Sequence, residues 1–279
     1  MAFTEFQSYF TNHHGLDIYY RCFLPESTKA TILFAHGIGE HSGRYTHLAE
    51  FFCSHEISFI ALDHQGHGLS EGKRGHVPTF QAFADDMEML RTQTADIHQR
   101  TPLFIMGHSM GGLIAFLYVL KHQDKVNGTI LTSPSFRIKM EVPRWKTWLA
   151  TILYYLAPNL TMRNSIDASL LSRDDAVVED YRNDPLVHSF ISLSLFWDMV
   201  HSGQRCMREA NRVTIPLFIL LGGHDEIIDV DAARKTFDAV NTNDKKILVF
   251  QDDYHEILNE YNNERVMQEL VHWLEQRFA

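Results

Sequence analysis

Residues 103–112 read Leu103-Phe104-Ile105-Met106-Gly107-His108-Ser109-Met110-Gly111-Gly112. Four consecutive apolar residues predict a strand buried on both faces. Residues Gly111 to Lys121 read as a helix. Between them lies G-x-S-x-G, in the strand-turn-helix setting where that pattern carries meaning. A connection this tight leaves no room for a Cβ at positions 107 and 111 and holds the serine under strain. Ser109 Oγ would stand clear of the sheet, at the positive end of a helix. The competing reading is a glycine-rich connection with an idle serine; the flanking strand and helix favour the first.

The same alternation extends in both directions. Phe3 to Leu24 reads as two strands around a turn at Asn12 to Gly15. Strands follow at Thr31–Ala35, Ile57–Leu62, Leu103–Met106, Val126–Thr132, Ile215–Leu221 and Lys246–Phe250. Helical spacing separates them at Arg44–His55, Thr79–Gln99, Gly111–Lys121, Asp231–Asn241 and Asn263–Phe278. Apolar strands alternating with helices predict an α/β protein, a mostly parallel eight-stranded sheet with helices on both faces. The alternation breaks after Ser133-Pro134. Residues 135–212 read as helix-rich with no convincing strand, so 1–134 and 213–279 form the expected core and 135–212 an inserted helical cap. An insertion between sheet strands tends to sit over the strand C-termini, where such proteins bind ligands.

A serine hydroxyl needs a base, and the base an orienting acid. After a strand–serine turn of this kind the chain order is Ser, then Asp or Glu, then His. Asp225 follows the strand ending at Leu221, at the same sheet edge as Ser109. Asp229 and Asp231 are its rivals, but both read as the start of the next helix, where acids are favoured by the dipole alone. Beyond Asp225 only His255 and His272 remain. His272 lies within the last amphipathic helix; His255 lies in the loop after the last strand and is the expected base. Two backbone N–H groups would receive an oxyanion: that of Met110, after the nucleophile, and that of Ile38, flanked by Gly37 and Gly39.

Composition narrows the classes. Charged residues make up 22% and apolar residues 45%, so neither a disordered nor a fibrous chain is expected. The 35 Asp and Glu exceed the 25 Lys and Arg, for a net charge of −10, which argues against nucleic acid and against strong electrostatic docking on anionic lipid. Three scattered cysteines, Cys22, Cys53 and Cys206, suggest reduced buried thiols rather than disulfides or a zinc site. The N-terminal residues do not read as a signal peptide, and no apolar stretch reaches the roughly 20 residues a membrane span requires. The expected location is the cytoplasm, with peripheral contact at membranes. Metal sites are disfavoured: His255-Glu256-Ile257-Leu258-Asn259 lacks the second histidine of H-E-x-x-H, and His64 and His67 read as turn packing. No cofactor is expected.

These residues resemble the monoacylglycerol lipase and lysophospholipase group of α/β-hydrolases. The matching pieces are His36-Gly37-Ile38-Gly39-Glu40-His41-Ser42-Gly43-Arg44-Tyr45, Asp63-His64-Gln65-Gly66-His67-Gly68-Leu69-Ser70-Glu71-Gly72, Gly107-His108-Ser109-Met110-Gly111-Gly112, Asn183-Asp184-Pro185-Leu186 and Tyr254-His255-Glu256. The resemblance spans roughly residues 30–278. It implies the α/β-hydrolase fold, the triad Ser109, Asp225 and His255, oxyanion donors at Ile38 and Met110, and a lipid-facing cap. It places Glu40 and Arg44 near the alcohol half of a lipid ester. Where members specialised for monoacylglycerol often carry a second histidine, this chain has Leu258. The residues 145–157 are apolar nearly all round, so beyond core packing of the cap they would face the sheet domain, an acyl chain in a tunnel or a membrane surface, while the stripe Phe190, Leu193, Phe196 and Trp197 reads more readily as core than as ligand wall. Alternatives are a short-chain esterase, an aminopeptidase or a carbon–carbon hydrolase on the same scaffold, and a non-catalytic binding module.

Overall fold

The structure, a computed structural model, describes residues 3–139, 157–164 and 166–278. Strands β1 (Phe3–Thr11), β2 (Asp17–Pro25), β3 (Ala30–Ala35), β4 (Ile57–Leu62), β5 (Leu103–His108) and β6 (Gly128–Thr132) lie in the first half. A short ribbon follows, β7 (Thr161–Arg163) and β8 (Phe190–Ser192), then β9 (Leu217–Gly222) and β10 (Lys245–Phe250). The helices are α1 (Thr46–Ser54), α2 (Gln81–Gln93), α3 (Ala95–His98), α4 (Met110–His122), α5 (Asp175–Asn183), α6 (Leu193–Glu209), α7 (Val230–Ala239) and α8 (Asn263–Glu275).

Eight strands form one sheet in the order β1-β2-β4-β3-β5-β6-β9-β10. β1 and β2 are antiparallel to each other, β2 is antiparallel to β4, and the remaining pairs are parallel. Strand side chains alternate between two cores. Leu33, Ile105, Leu131 and Ile219 pack with α2, α4 and α6 on one face. Ile32, Phe104, Ile130 and Phe218 pack with α1 and α8 on the other. Strand β5 and helix α4 are buried from Leu103 to Leu120, which is why that stretch is apolar without alternation.

Two expectations change. The helix foreseen over Thr79–Gln99 is two helices, α2 and α3, broken at Thr94. The segment 135–212 contains the antiparallel ribbon β7–β8, and its last helix, α6, is part of the core layer: Leu195, Met199 and Cys206 join the cluster of α2 and α4. Residues 145–156, expected to line a tunnel, lie outside the described residues. All three cysteines are free and buried. Among the described residues no helix is long and apolar enough to cross a membrane.

Candidate active site

The turn between β5 and α4 takes the conformation its glycines permit. Ser109 has φ +53°, a left-handed value that side chains rarely adopt. A Cβ on Gly107 would stand 2.1 Å from the Gly111 carbonyl oxygen, and a Cβ on Gly111 2.0 Å from that of Ala35. Backbone fills both places, so only glycine fits. Thr132 O accepts the Ser109 N–H at 2.9 Å and fastens the turn to β6.

The three residues singled out from the sequence meet at the C-terminal edge of the sheet. Ser109 Oγ lies 2.8 Å from His255 Nε2, and His255 Nδ1 lies 2.6 Å from Asp225 Oδ2. All three are buried. The other Asp225 oxygen accepts the N–H groups of Ile227 and Ile228 at 2.8 and 3.0 Å. With both oxygens held, the carboxylate is aimed at one imidazole nitrogen, which fixes that nitrogen as the donor. Asp229 instead caps α7 by accepting the Ala232 N–H, and Asp231 lies in that helix's first turn. His272 is an exposed residue of α8.

Electrostatics follow from these contacts. Burial disfavours a charged imidazole at His255, but the Asp225 carboxylate outweighs it, helped by Glu256 and Glu40, so the pKa is raised. Burial likewise opposes the Asp225 charge, yet His255 and two backbone N–H groups hold its carboxyl below the usual range. His108, next to the nucleophile, is pushed down to about 4 by burial and by the neighbouring His255, whose ring lies 5.0 Å away. His108 therefore stays neutral near pH 7.

A buried ionic bridge runs behind the site. Glu40 Oε1 accepts from the Gly37 N–H at 2.6 Å and the Tyr45 hydroxyl at 2.7 Å, while its Oε2 accepts from Arg44 at 2.5 Å. Arg44 is also bidentate to Glu256, at 2.7 Å on each oxygen. Glu256 follows His255, and Gly37 precedes Ile38, so the bridge joins the loop of the base to the loop after β3. One edge of Arg44 borders a polar cavity of about 620 Å³, together with His47, Asp180, Asn183, Asp184 and Asn259.

Ile38 lies in that loop, partly buried, and Met110 begins α4. The first N–H groups of a helix have no partner within it, which leaves that of Met110 directed out of the helix start. Ser133 was not legible as a site residue. Its φ is +42°, and its buried hydroxyl donates to the His255 carbonyl at 2.8 Å. A serine–proline pair after a strand gives no sign of a partner 122 residues away. His64 and His67 are buried against His36, whose ring lies 4.3 and 5.4 Å from theirs. No group of three His, Cys, Asp or Glu among the described residues is arranged to hold a metal.

The family model described as serine aminopeptidase, S33, matches residues 26–262. The chain belongs to this family. As an S33 hydrolase it is 32% identical over 273 residues to a monoacylglycerol lipase of Mycolicibacterium smegmatis, covering 97% of each protein. It is 36% identical over 251 residues to an uncharacterized abhydrolase domain-containing protein of Dictyostelium discoideum, covering 89% of this chain but only 26% of that protein. The crystal structure of a monoacylglycerol lipase from Paleococcus ferrophilus superposes with a TM-score of 0.83 at 30% identity, covering 99% of this chain and 100% of that one. The chain is thus an enzyme of the α/β-hydrolase fold.

Proposed function

We propose that this S33 hydrolase releases fatty acid from monoacylglycerols or lysophospholipids through an acyl-enzyme on Ser109. The observation that carries the reading is the hydrogen-bonded chain from Ser109 through His255 to Asp225. His255 Nε2 takes the Ser109 proton as Oγ attacks the ester carbonyl. Asp225 holds the tautomer and stabilises the imidazolium. The N–H groups of Ile38 and Met110 receive the oxyanion. His255 returns the proton to the leaving alcohol, then activates water to hydrolyse the acyl ester.

Glu40 and Arg44 were expected beside the alcohol. In our reading Glu40 is a brace, because protein groups occupy both its oxygens. Arg44 shares that work and keeps a place at the polar cavity. The cap is the part of 135–212 that precedes α6, and it lies against lipid. The family description favours a second reading, an aminopeptidase. Turnover on a panel of long-chain monoacylglycerols, lysophospholipids and aminoacyl anilides separates the two. Lipid esters should exceed anilides in kcat/KM by at least a hundredfold; the reverse order would overturn the proposal.

A further inference from the structure

Among the described residues, three that are not glycine have positive φ: Glu56, Ser109 and Ser133. Glu56 turns the chain between α1 and β4, and Ser109 is the nucleophile. Ser133, at φ +42°, follows β6 and stands beside the base. A serine in this conformation costs free energy and persists only where its neighbours over-determine it. Here its N–H donates to Leu220 O at 2.9 Å and its hydroxyl to His255 O at 2.8 Å. The next residue, Glu256, is held separately, its N–H donating to Leu171 O at 2.7 Å. Removing the Ser133 hydroxyl would therefore loosen the base without releasing the whole loop.

The residues around Ser133 reach the other two members of the triad. Thr132 O accepts the Ser109 N–H at 2.9 Å, and the Ser135 N–H donates to Ser109 O at 3.0 Å, so the nucleophile's backbone is gripped at both its polar groups. Further on, the chain pairs with the loop after Asp225. Ile138 and Ile228 form an antiparallel bridge, the Lys139 N–H donates to Ile227 O at 2.9 Å, and Arg137 O accepts the Asp229 N–H at 2.8 Å. Ile227 and Ile228 are the residues whose N–H groups hold Asp225 Oδ1. Ion pairs from Arg137 to Asp229 and from Lys139 to Glu226 lie at the surface and add little. Between the two sets of contacts Phe136 is buried. Its ring lies 5.1 Å from that of Phe116 on α4, and a Cβ on Gly203 of α6 would stand 2.2 Å from its carbonyl oxygen. The stretch is thus anchored to the core where it passes from nucleophile to acid.

We propose that residues 132–139 are a positioning strap, one stretch of backbone that holds the nucleophile turn, the base loop and the acid loop in register, with Ser133 the positioning residue for His255. The inference rests on the triad reading above and adds residues that act through the triad. The need for such a strap is geometric. Ser109 and His255 are 146 positions apart and Asp225 and His255 30, so no single element carries two of them. A misplacement of about 1 Å between reacting groups can cost about a hundredfold in rate. Residues 135–139 also open the inserted segment, so the root of that segment and the triad share one set of bonds. A shift of the root would be felt at Ser109 and at Asp225 together.

Kinetics on a short soluble ester test this in the full chain. Ser133→Ala should lower kcat about tenfold or more and leave KM within about twofold, because the hydroxyl places the base and touches no substrate. Ser133→Gly removes the same hydroxyl but suits φ +42°, so it should lose as much kcat with a urea midpoint at or above that of Ser133→Ala. It keeps the test open where Ser133→Ala fails to fold. The acid limb of the rate profile should move to lower pH in both, since a looser His255 feels less of the Asp225 carboxylate; Glu256, Glu40 and the neutral His108 are the other titratable groups it faces. Lys139→Pro deletes the N–H that holds Ile227 O and should cut kcat about fivefold or more, whereas Lys139→Ala keeps that N–H and should lose less than about twofold. Proton NMR gives a readout that needs no substrate: the downfield resonance of the proton between His255 Nδ1 and Asp225 should shift upfield or broaden in Ser133→Ala, Ser133→Gly and Lys139→Pro. Native kcat in both Ser133 variants or in Lys139→Pro, or a loss confined to KM, would overturn the proposal. A native chain whose downfield proton responds in this way but which cleaves no lipid ester would sink the proposed function and leave the strap standing.

Discussion

Ser109 can reach His255 because its backbone is held at φ +53°, and the restraint comes from neighbours rather than from serine itself. Asp225 does for the base what the glycines do for the nucleophile. Replacing Asp225 by Asn keeps the shape but presents the wrong donor pattern to His255 Nδ1, so kcat on a soluble ester should fall about 10⁴-fold. A loss below tenfold would show that the contact is not used in turnover. The raised His255 pKa sets a pH dependence with a definite sign. Only the neutral imidazole accepts a proton, so kcat/KM should rise with pH through a midpoint above the ordinary 6.5. Glu256→Gln removes one carboxylate that raises this pKa and leaves Arg44 less compensated. The midpoint should then move to lower pH, read from the acid limb of the rate profile. At this scale the triad was legible, because Ser, Asp and His each follow a strand that reads plainly. Ser133 and the Arg44 bridge were not, since their partners are fixed only by the folded chain.

The strands and helices divide the same way. β5 and α4 were legible from one apolar run and two glycines. The α2–α3 break was not, because Thr94 keeps the apolar spacing while its hydroxyl bonds back to Leu90 O at 2.8 Å. Such back-bonding bends helices without changing their pattern. The ribbon β7–β8 has three residues per strand, too few to show a period of two. Its place is set instead by bonds across the chain: His41 Nε2 meets Asp184 Oδ2 at 2.8 Å, joining two motifs that the sequence showed separately, and His188 Nε2 meets Gly66 O at 3.0 Å. The tight packing of α4 on β3 makes a sharp prediction. Gly111→Ala would press a methyl group against the Ala35 carbonyl and should cost about 3 kcal/mol, the upper end of overpacking penalties. Urea unfolding measures it, and a change below about 1 kcal/mol would mean that α4 can shift.

The whole molecule carries its histidines unevenly. His36, His64, His67 and His108 are all buried, and burial lowers the pKa of each. A histidine lowered on folding contributes stability that is present above its unfolded pKa near 6.5 and lost as pH falls toward the folded value. His255, raised, contributes in the opposite sense, stabilising at acid pH and losing that as pH rises through its folded pKa. His47, His76, His98, His122 and His188 are lowered too, so the lowered histidines outnumber His255 and the Asp86 carboxyl, raised to about 7, which oppose them. The net is a loss on acidification, each lowered group contributing up to about 1.4 kcal/mol per pH unit. The urea midpoint should therefore fall steeply from pH 6.5 to 5; a flat profile would contradict the buried neutral cluster. Fold class was legible at this scale because alternation persists on both sides of residues 135–212.

The central claim is that Ser109 becomes the covalent intermediate, and intact-protein mass spectrometry after treatment with a fluorophosphonate tests it most directly. The native chain should gain one adduct, mapped to the peptide containing Ser109, and Ser109→Ala should gain none. An unlabelled native chain, or equal labelling of Ser109→Ala, would contradict the account.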